Sequence, residues 1–261
     1  MKLAFSTLGC PGWSWGDILA TAKDLGFQGV ELRGIQQETD VPRIRELRPS
    51  HIQSTREQLA RMDLEIPCIT AGCRLSQAEE LPHIRQYIDT AHALNVPYVR
   101  VLGDDVIAPG NVVDDRLLQE NALCVAAYAQ EQGVTLLIET NGAFSDSRRL
   151  RALLDRIAHP AVAALWDIHH TFRFFHEPPA QTVETLGDFI KHVHCKDSVM
   201  EAEQVRYRIM GQGDVPVRNA VICLQDAGYQ GYYCLEWVKR WDLTLEEPGI
   251  AFAQYLKYMR G

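Results

Sequence analysis

Gly26-Phe27-Gln28-Gly29-Val30-Glu31 near one end of the chain is echoed by Gly228-Tyr229-Gln230-Gly231-Tyr232-Tyr233 near the other. The first passage shows what is being repeated. Ile18, Leu19, Ala22 and Leu25 fall on one helical face ahead of Gly26. Glycine stops such a helix because the left-handed conformation carries no Cβ penalty there. A short apolar run then begins. Helix, stop and strand make one unit, and the unit recurs along the chain.

Working outward, strands are expected at residues 3–5, 29–32, 64–70, 98–102, 134–139, 162–167, 189–194 and 232–237. Between them lie helical stripes. Ile84, Tyr87, Ile88, Ala91 and Leu94 form one, ended by Asn95; Leu118, Ala122, Val125 and Ala129 form another, closed by Gly133. Ser145 or Asp146 can cap the helix that follows the fifth strand, because a short oxygen-bearing side chain accepts from free N–H groups. Strands that alternate with helices pair in parallel, since each crossover returns the chain in the same direction. A doubly wound open sheet competes with a barrel at this point. The internal echo favours repeated βα units closed into a barrel, and no G-x-G-x-x-G follows the first strand. The length of 261 residues suits one eight-fold barrel. The expectation is an α/β fold, a single (β/α)8 TIM barrel over residues 1–261, undivided by any linker or low-complexity tract.

Composition narrows the partners. Acidic residues outnumber basic ones 34 to 26, giving a formal net charge of −8. Such a surface repels a phosphate backbone, and no Lys/Arg run offers a local groove, so no nucleic-acid partner is expected. No apolar stretch approaches the ~18 residues of a membrane span, and Met1-Lys2-Leu3-Ala4-Phe5 lacks a signal-peptide core. The seven cysteines are scattered without a C-x-x-C pair, which fits free thiols in a reducing cytoplasm. A homodimer or homotetramer is compatible with an aromatic cluster at Trp13 and Trp15, if it is exposed.

The last four strands share a pattern. Each is apolar until its C-terminal end, where a metal-competent side chain appears: Glu139, Asp167, His194 and Glu236. In a barrel those ends converge on the face that carries active sites. Three carboxylates gathered there repel one another unless a cation neutralises them. Any one of them alone reads as a solvated loop acid or a helix cap, and His194 alone as a core histidine. Four at four successive strand ends point to one divalent ion. Oxygen-rich ligation with one imidazole suits Mn²⁺, Mg²⁺ or Co²⁺, and Zn²⁺ is compatible.

Neighbouring residues carry weaker signals. Of His169 and His170, strand alternation aims one at the site and the other outward; His170 can bond a substrate hydroxyl, or both can be surface histidines. His192 faces as His194 does, one layer deeper, and reads as a supporting partner. Lys196 can bind a substrate oxygen or phosphate and Asp197 can orient a ligand, unless the two form a surface ion pair. Arg206 and Arg208, in the stretch before Gly211-Gln212-Gly213-Asp214, can clamp a carboxylate or phosphate. Trp13, Trp15, Trp166 and Trp237 stand near strand ends, where they either line a pocket or pack the core.

Gly26-Phe27-Gln28-Gly29-Val30-Glu31-Leu32 resembles the G-F-x-G-V-E-L passage of the xylose isomerase-like TIM-barrel superfamily, the sugar phosphate isomerase/epimerase group. Ile138-Glu139-Thr140-Asn141, Trp166-Asp167-Ile168-His169-His170, Val193-His194-Cys195-Lys196-Asp197, Gly211-Gln212-Gly213-Asp214 and Leu235-Glu236 resemble its later motifs in order. The resemblance implies a metal site on Glu139, Asp167, His194 and Glu236. It also implies Glu139 and Glu236 as the acid/base pair of a ketose epimerase, with His170 and either Arg206 or Arg208 holding substrate. The superfamily also contains lyases such as dehydratases, decarboxylases, and DNA-repair endonucleases with a larger zinc cluster. That cluster's extra histidines are not evident here.

The leading expectation is therefore a metal-dependent isomerase or epimerase of a keto sugar or related polyol, acting by α-proton abstraction through a metal-stabilised enediolate. The alternatives are a dehydratase or other lyase of a sugar, inositol or keto acid on the same site, and a metal-stabilised binding barrel without turnover.

Overall fold

The computed structural model describes residues 1–261. Its elements run β1 (Lys2–Ser6), α1 (Trp15–Leu25), β2 (Gly29–Glu31), α2 (Ile52–Met62), β3 (Ile69–Arg74), α3 (Leu81–Leu94), β4 (Tyr98–Leu102), α4 (Asp115–Glu131), β5 (Thr135–Glu139), α5 (Ser147–Ile157) and β6 (Val162–Asp167). They continue with α6 (Ile168–Phe175), α7 (Pro179–Leu186), β7 (Ile190–Cys195), β8 (Asp197–Glu201), β9 (Gln204–Arg208), α8 (Val217–Asp226), β10 (Tyr232–Leu235) and α9 (Pro248–Arg260).

Eight strands form one sheet in the order β2-β1-β10-β7-β6-β5-β4-β3, and β8 and β9 form a separate hairpin. The first strand pairs in parallel with the last, Ala4 opposite Cys234 and Phe5 opposite Leu235. That pairing is what a barrel requires of its ends. Beyond β2, Gly29 makes a parallel bridge to Glu65. The architecture is the (β/α)8 arrangement of a TIM barrel.

Two compact units can be described: residues 1–67 with 194–261, and residues 68–193. In the first, Phe252 of α9 stacks on Phe5 with ring centroids 4.2 Å apart, and Phe27 meets Phe5 edge-on at 4.9 Å. Ser14 caps α1 in a reciprocal box with Asp17, and Gly26 ends that helix at φ +80°. In the second unit, Cys68, Leu137, Ala163 and Leu165 form a buried cluster with Tyr98 packed against it. Asp114 and Asp146 cap α4 and α5, each accepting from two backbone N–H groups. Asp146 thus fills the capping role for which Ser145 was the other candidate.

Some local expectations change. The third strand begins at Ile69 rather than at residue 64, and residues before it contribute only the Gly29–Glu65 bridge. Pro67, which has no N–H for a ladder, lies in the gap. His169 and His170 belong to a helix, α6, so strand alternation does not apply to them, and both are buried. The surface-pair reading fails with it. Trp166 and Trp237 are fully buried, Trp15 is buried, and Trp13 packs edge-on against Phe252 at 5.7 Å. The supposed exposed cluster at Trp13 and Trp15 is therefore packing within the fold. No helix is long and apolar enough to cross a membrane.

Candidate metal centre

In the first unit, two carboxylates meet around one imidazole. His194, near the end of β7, has Nε2 2.8 Å from Glu31 Oε2 and Nδ1 3.4 Å from Glu236 Oε1. Glu31 closes β2 and Glu236 follows β10, with β1 between those two strands and β7 on the other side of β10. The backbone N–H of Glu236 donates to the carbonyl of Cys195 at 3.0 Å, which holds it level with the end of β7. Lys196 Nζ donates to Glu236 Oε2. Glu31, His194, Lys196 and Glu236 are all buried. Removing charged groups from water is costly unless each has a partner, and here each has one.

In the second unit, Glu139 ends β5 with its Oε2 3.3 Å from Arg100 Nε. Arg100 is buried in mid-β4, and its Nη1 donates to the carbonyl of Ala71 at 2.6 Å. Asp167 ends β6 and starts α6. Its Oδ1 accepts the His170 N–H at 3.1 Å, and its own N–H donates to Thr140 Oγ1 at 2.8 Å. His170 Nδ1 lies 2.9 Å from the carbonyl of Thr140, an acceptor, so that nitrogen carries the hydrogen. The same nitrogen is 3.6 Å from Asp167 Oδ2. Asp167 therefore fixes the first turn of the helix that presents His170.

One ligand-type atom from each of Glu139, Asp167, His194 and Glu236 lies within 4.8 Å of the others, and all four residues are buried. The four side chains singled out from strand ends are thus brought together. Three carboxylates and one imidazole form a donor set that fits a hard or borderline divalent ion such as Mn²⁺, Mg²⁺, Co²⁺ or Zn²⁺. Arg100 lies against Glu139 and Lys196 against Glu236, one cation to each glutamate.

The other candidates are placed differently. Lys196 is no surface ion pair: it is buried against Glu236. Asp197 is structural in its contacts. Its Oδ2 accepts from the N–H groups of Gly211 (2.8 Å) and Gly213 (2.9 Å), and its Oδ1 from those of Ser198 and Val215. Arg206 and Arg208 lie on β9 of the hairpin rather than in an irregular loop. Arg208 pairs with Glu201 across the hairpin, and Arg206 donates to Gln204 at 3.0 Å. Both line a cleft of about 240 Å³ with Asp242 and Glu246. His192 is buried, and its ligand-type atom groups with those of Glu31, His194 and Cys234.

Two buried charges escaped the sequence reading. Glu31 ends β2, as Glu139 and Asp167 end β5 and β6, and that shared position was the available signal. Arg100 interrupts Val99 and Val101 in an otherwise apolar run, a misfit that marks a buried cation in search of an anion.

A family model described as "Xylose isomerase-like TIM barrel" matches residues 19–260. Fructoselysine 3-epimerase of Shigella flexneri is 24% identical over 257 residues, covering 92% of this chain and 90% of that protein. Among solved structures, the probable 3-DHS dehydratase AsbF of Bacillus anthracis superposes with a TM-score of 0.79 at 18% identity, covering 100% of this chain and 99% of the other. The 3-keto-D-glucoside 4-epimerase YcjR of E. coli gives 0.78 at 16% identity, with 100% and 99% covered. These structural likenesses establish the fold.

Proposed function

The chain belongs to the xylose isomerase-like TIM-barrel family, and on that premise we propose that it is a metal-dependent epimerase or isomerase of a keto sugar or a related polyol. One observation carries the reading: Glu139, Asp167, His194 and Glu236 gather their donor atoms within 4.8 Å, with the two glutamates held by different cations. Fructoselysine 3-epimerase, similar over nearly the whole length, makes a ketose with a substituent a reasonable substrate class.

A divalent ion held by these four residues would supply Lewis-acid stabilisation of the charge that develops as a proton leaves carbon next to a carbonyl. The remaining chemistry belongs to the side chains. Glu139 and Glu236 remove the α-proton and return one, each from its own side of the substrate. Arg100 lies against the Glu139 carboxylate and Lys196 against that of Glu236. His170, oriented through Thr140, bonds a substrate hydroxyl. Lys196 contacts a substrate oxygen when its amine is shared with Glu236. Arg206 and Arg208 serve the distal end of the substrate from the hairpin cleft. The full chain acts as one domain, and its free thiols suit the cytoplasm.

The test is proton exchange. Protein loaded with Mn²⁺ is incubated in deuterated buffer with a panel of ketohexoses, 3-keto glycosides and fructosamines, and the α-carbon is followed by NMR. Deuterium enters at the α-carbon with inversion of that same centre, and Glu139→Gln and Glu236→Gln each lower the rate on the order of 10²–10⁴-fold. Substantial turnover in both variants refutes the acid/base assignment. Loss of water with a new enone absorbance assigns the same proton removal to a dehydratase.

A further inference from the structure

We infer that Glu31 is a positioning residue that selects the metal-binding form of His194. The inference rests on the proposed metal site and deepens it. Glu31 and His194 are each completely buried, and their side chains meet at 2.8 Å between Oε2 and Nε2. A carboxylate only accepts hydrogen bonds, so the imidazole nitrogen that faces it must carry a hydrogen. A neutral imidazole has one such hydrogen. Its other nitrogen, Nδ1, is then left with a lone pair, and Nδ1 is the atom that looks towards Glu236 Oε1 at 3.4 Å.

That second contact sharpens the point. With Nε2 protonated by default, Nδ1 and Glu236 Oε1 are two acceptors facing each other in a buried place. A cation held by both atoms satisfies the arrangement, and Glu31 is what leaves Nδ1 available to take part. Metal-ligating histidines commonly donate their second N–H to a carboxylate, and loss of that partner costs about 10–100-fold in metal affinity.

A competing use of the same residues is a second metal site, since Glu31, His192, His194 and Cys234 also bring ligand-type atoms together. One neutral imidazole cannot donate Nε2–H to Glu31 and also ligate through Nε2. The 2.8 Å contact favours the positioning role.

The experiment uses the full chain and two readouts. Binding of Mn²⁺ and of Co²⁺ is measured by calorimetry for the wild type, Glu31→Gln, Glu31→Asp and Glu31→Ala. The His194 ring nitrogens are followed by nitrogen-15 NMR in metal-free protein, above the ordinary histidine range. The expected result is an Nε2–H tautomer in the wild type, a mixed or Nδ1–H signal in Glu31→Gln and Glu31→Ala, and metal binding weakened about 10–100-fold in those two, with Glu31→Asp between them and the wild type. An Nδ1–H tautomer in the wild type overturns the inference, and needs no variant to fold. Unchanged affinity in folded Glu31→Gln and Glu31→Ala overturns it as well. Two metal ions per wild-type chain, one lost in Glu31→Ala, assigns the second site instead. If the wild type binds no ion at all, the metal reading fails, while the tautomer still reports whether Glu31 holds the ring.

Discussion

Replacing Arg100 by Met tests the electrostatics of the centre without touching a proposed ligand. The guanidinium is buried in mid-β4, 3.3 Å from the carboxylate of Glu139, which is itself only 3% exposed. Methionine keeps much of the volume and removes the charge. Glu139 then loses the guanidinium beside it, and Ala71 loses its 2.6 Å donor. Breaking one partner out of a buried pair costs about 3–5 kcal/mol. Removing both partners at once costs far less, because no charge remains stranded. Urea unfolding of metal-free protein is the assay. With a slope of about 2–3 kcal/mol per molar, the Arg100→Met midpoint falls on the order of 1–2 M. The Arg100→Met/Glu139→Leu double variant recovers most of that loss, and the cycle gives a coupling above about 1.5 kcal/mol. Saturating Mn²⁺, at roughly 100 times its dissociation constant, returns about 2.7 kcal/mol by mass action if the site binds it. Additive single effects, or a loss below about 1 kcal/mol for Arg100→Met, refute the reasoning.

Two further outcomes are expected. Asp104 is buried and gathers the N–H of Ala143 (2.8 Å), the amide of Asn111 (2.9 Å) and the N–H of Asp105 (2.6 Å). Asp104→Ala lowers stability by about 2–4 kcal/mol and speeds proteolysis between residues 104 and 114, which thermal unfolding and limited digestion will show. At the start of α4, burial pushes the Asp115 carboxyl up, but hydrogen bonds and charge from Arg149 and Arg156 outweigh it and leave the group below its ordinary range. A depressed carboxyl stabilises above its unfolded value, about 3.9, and that contribution disappears as pH falls through the lower folded value. Asp115→Asn is therefore less stable than the wild type at neutral pH. The gap closes below about pH 4 in a series of denaturation curves, and a gap that widens there contradicts the assignment.

Strand ends were the legible part of the centre because position and chemistry coincide there. Glu139, Asp167, His194 and Glu236 each break an apolar run at or beside the end of a strand, so one pattern singles out all four. Glu31 breaks a run in the same manner, but β2 is only three residues long, and a short run gives little contrast. Arg100 lies in the middle of its strand, so its partner was invisible without the pairing of β4 with β5. His169 and His170 were misread because Asp167 both ends a strand and caps a helix. A single residue changed the periodicity, and nothing upstream announced it. Lys196 and Asp197 looked alike in sequence and separate in space, one turned to Glu236 and the other to backbone N–H groups of residues 211–215.

That last grip has a wider consequence. Asp197 holds the 211–215 segment through backbone N–H groups alone, so the side chains of Gln212 and Asp214 are not what it recognises. The grip asks for glycine at 213, where a Cβ would run into the Asp197 carboxylate and the Ser198 carbonyl, and is otherwise indifferent to spelling. A segment anchored in this way can exchange its outward residues during divergence without coming loose from the residue next to Lys196.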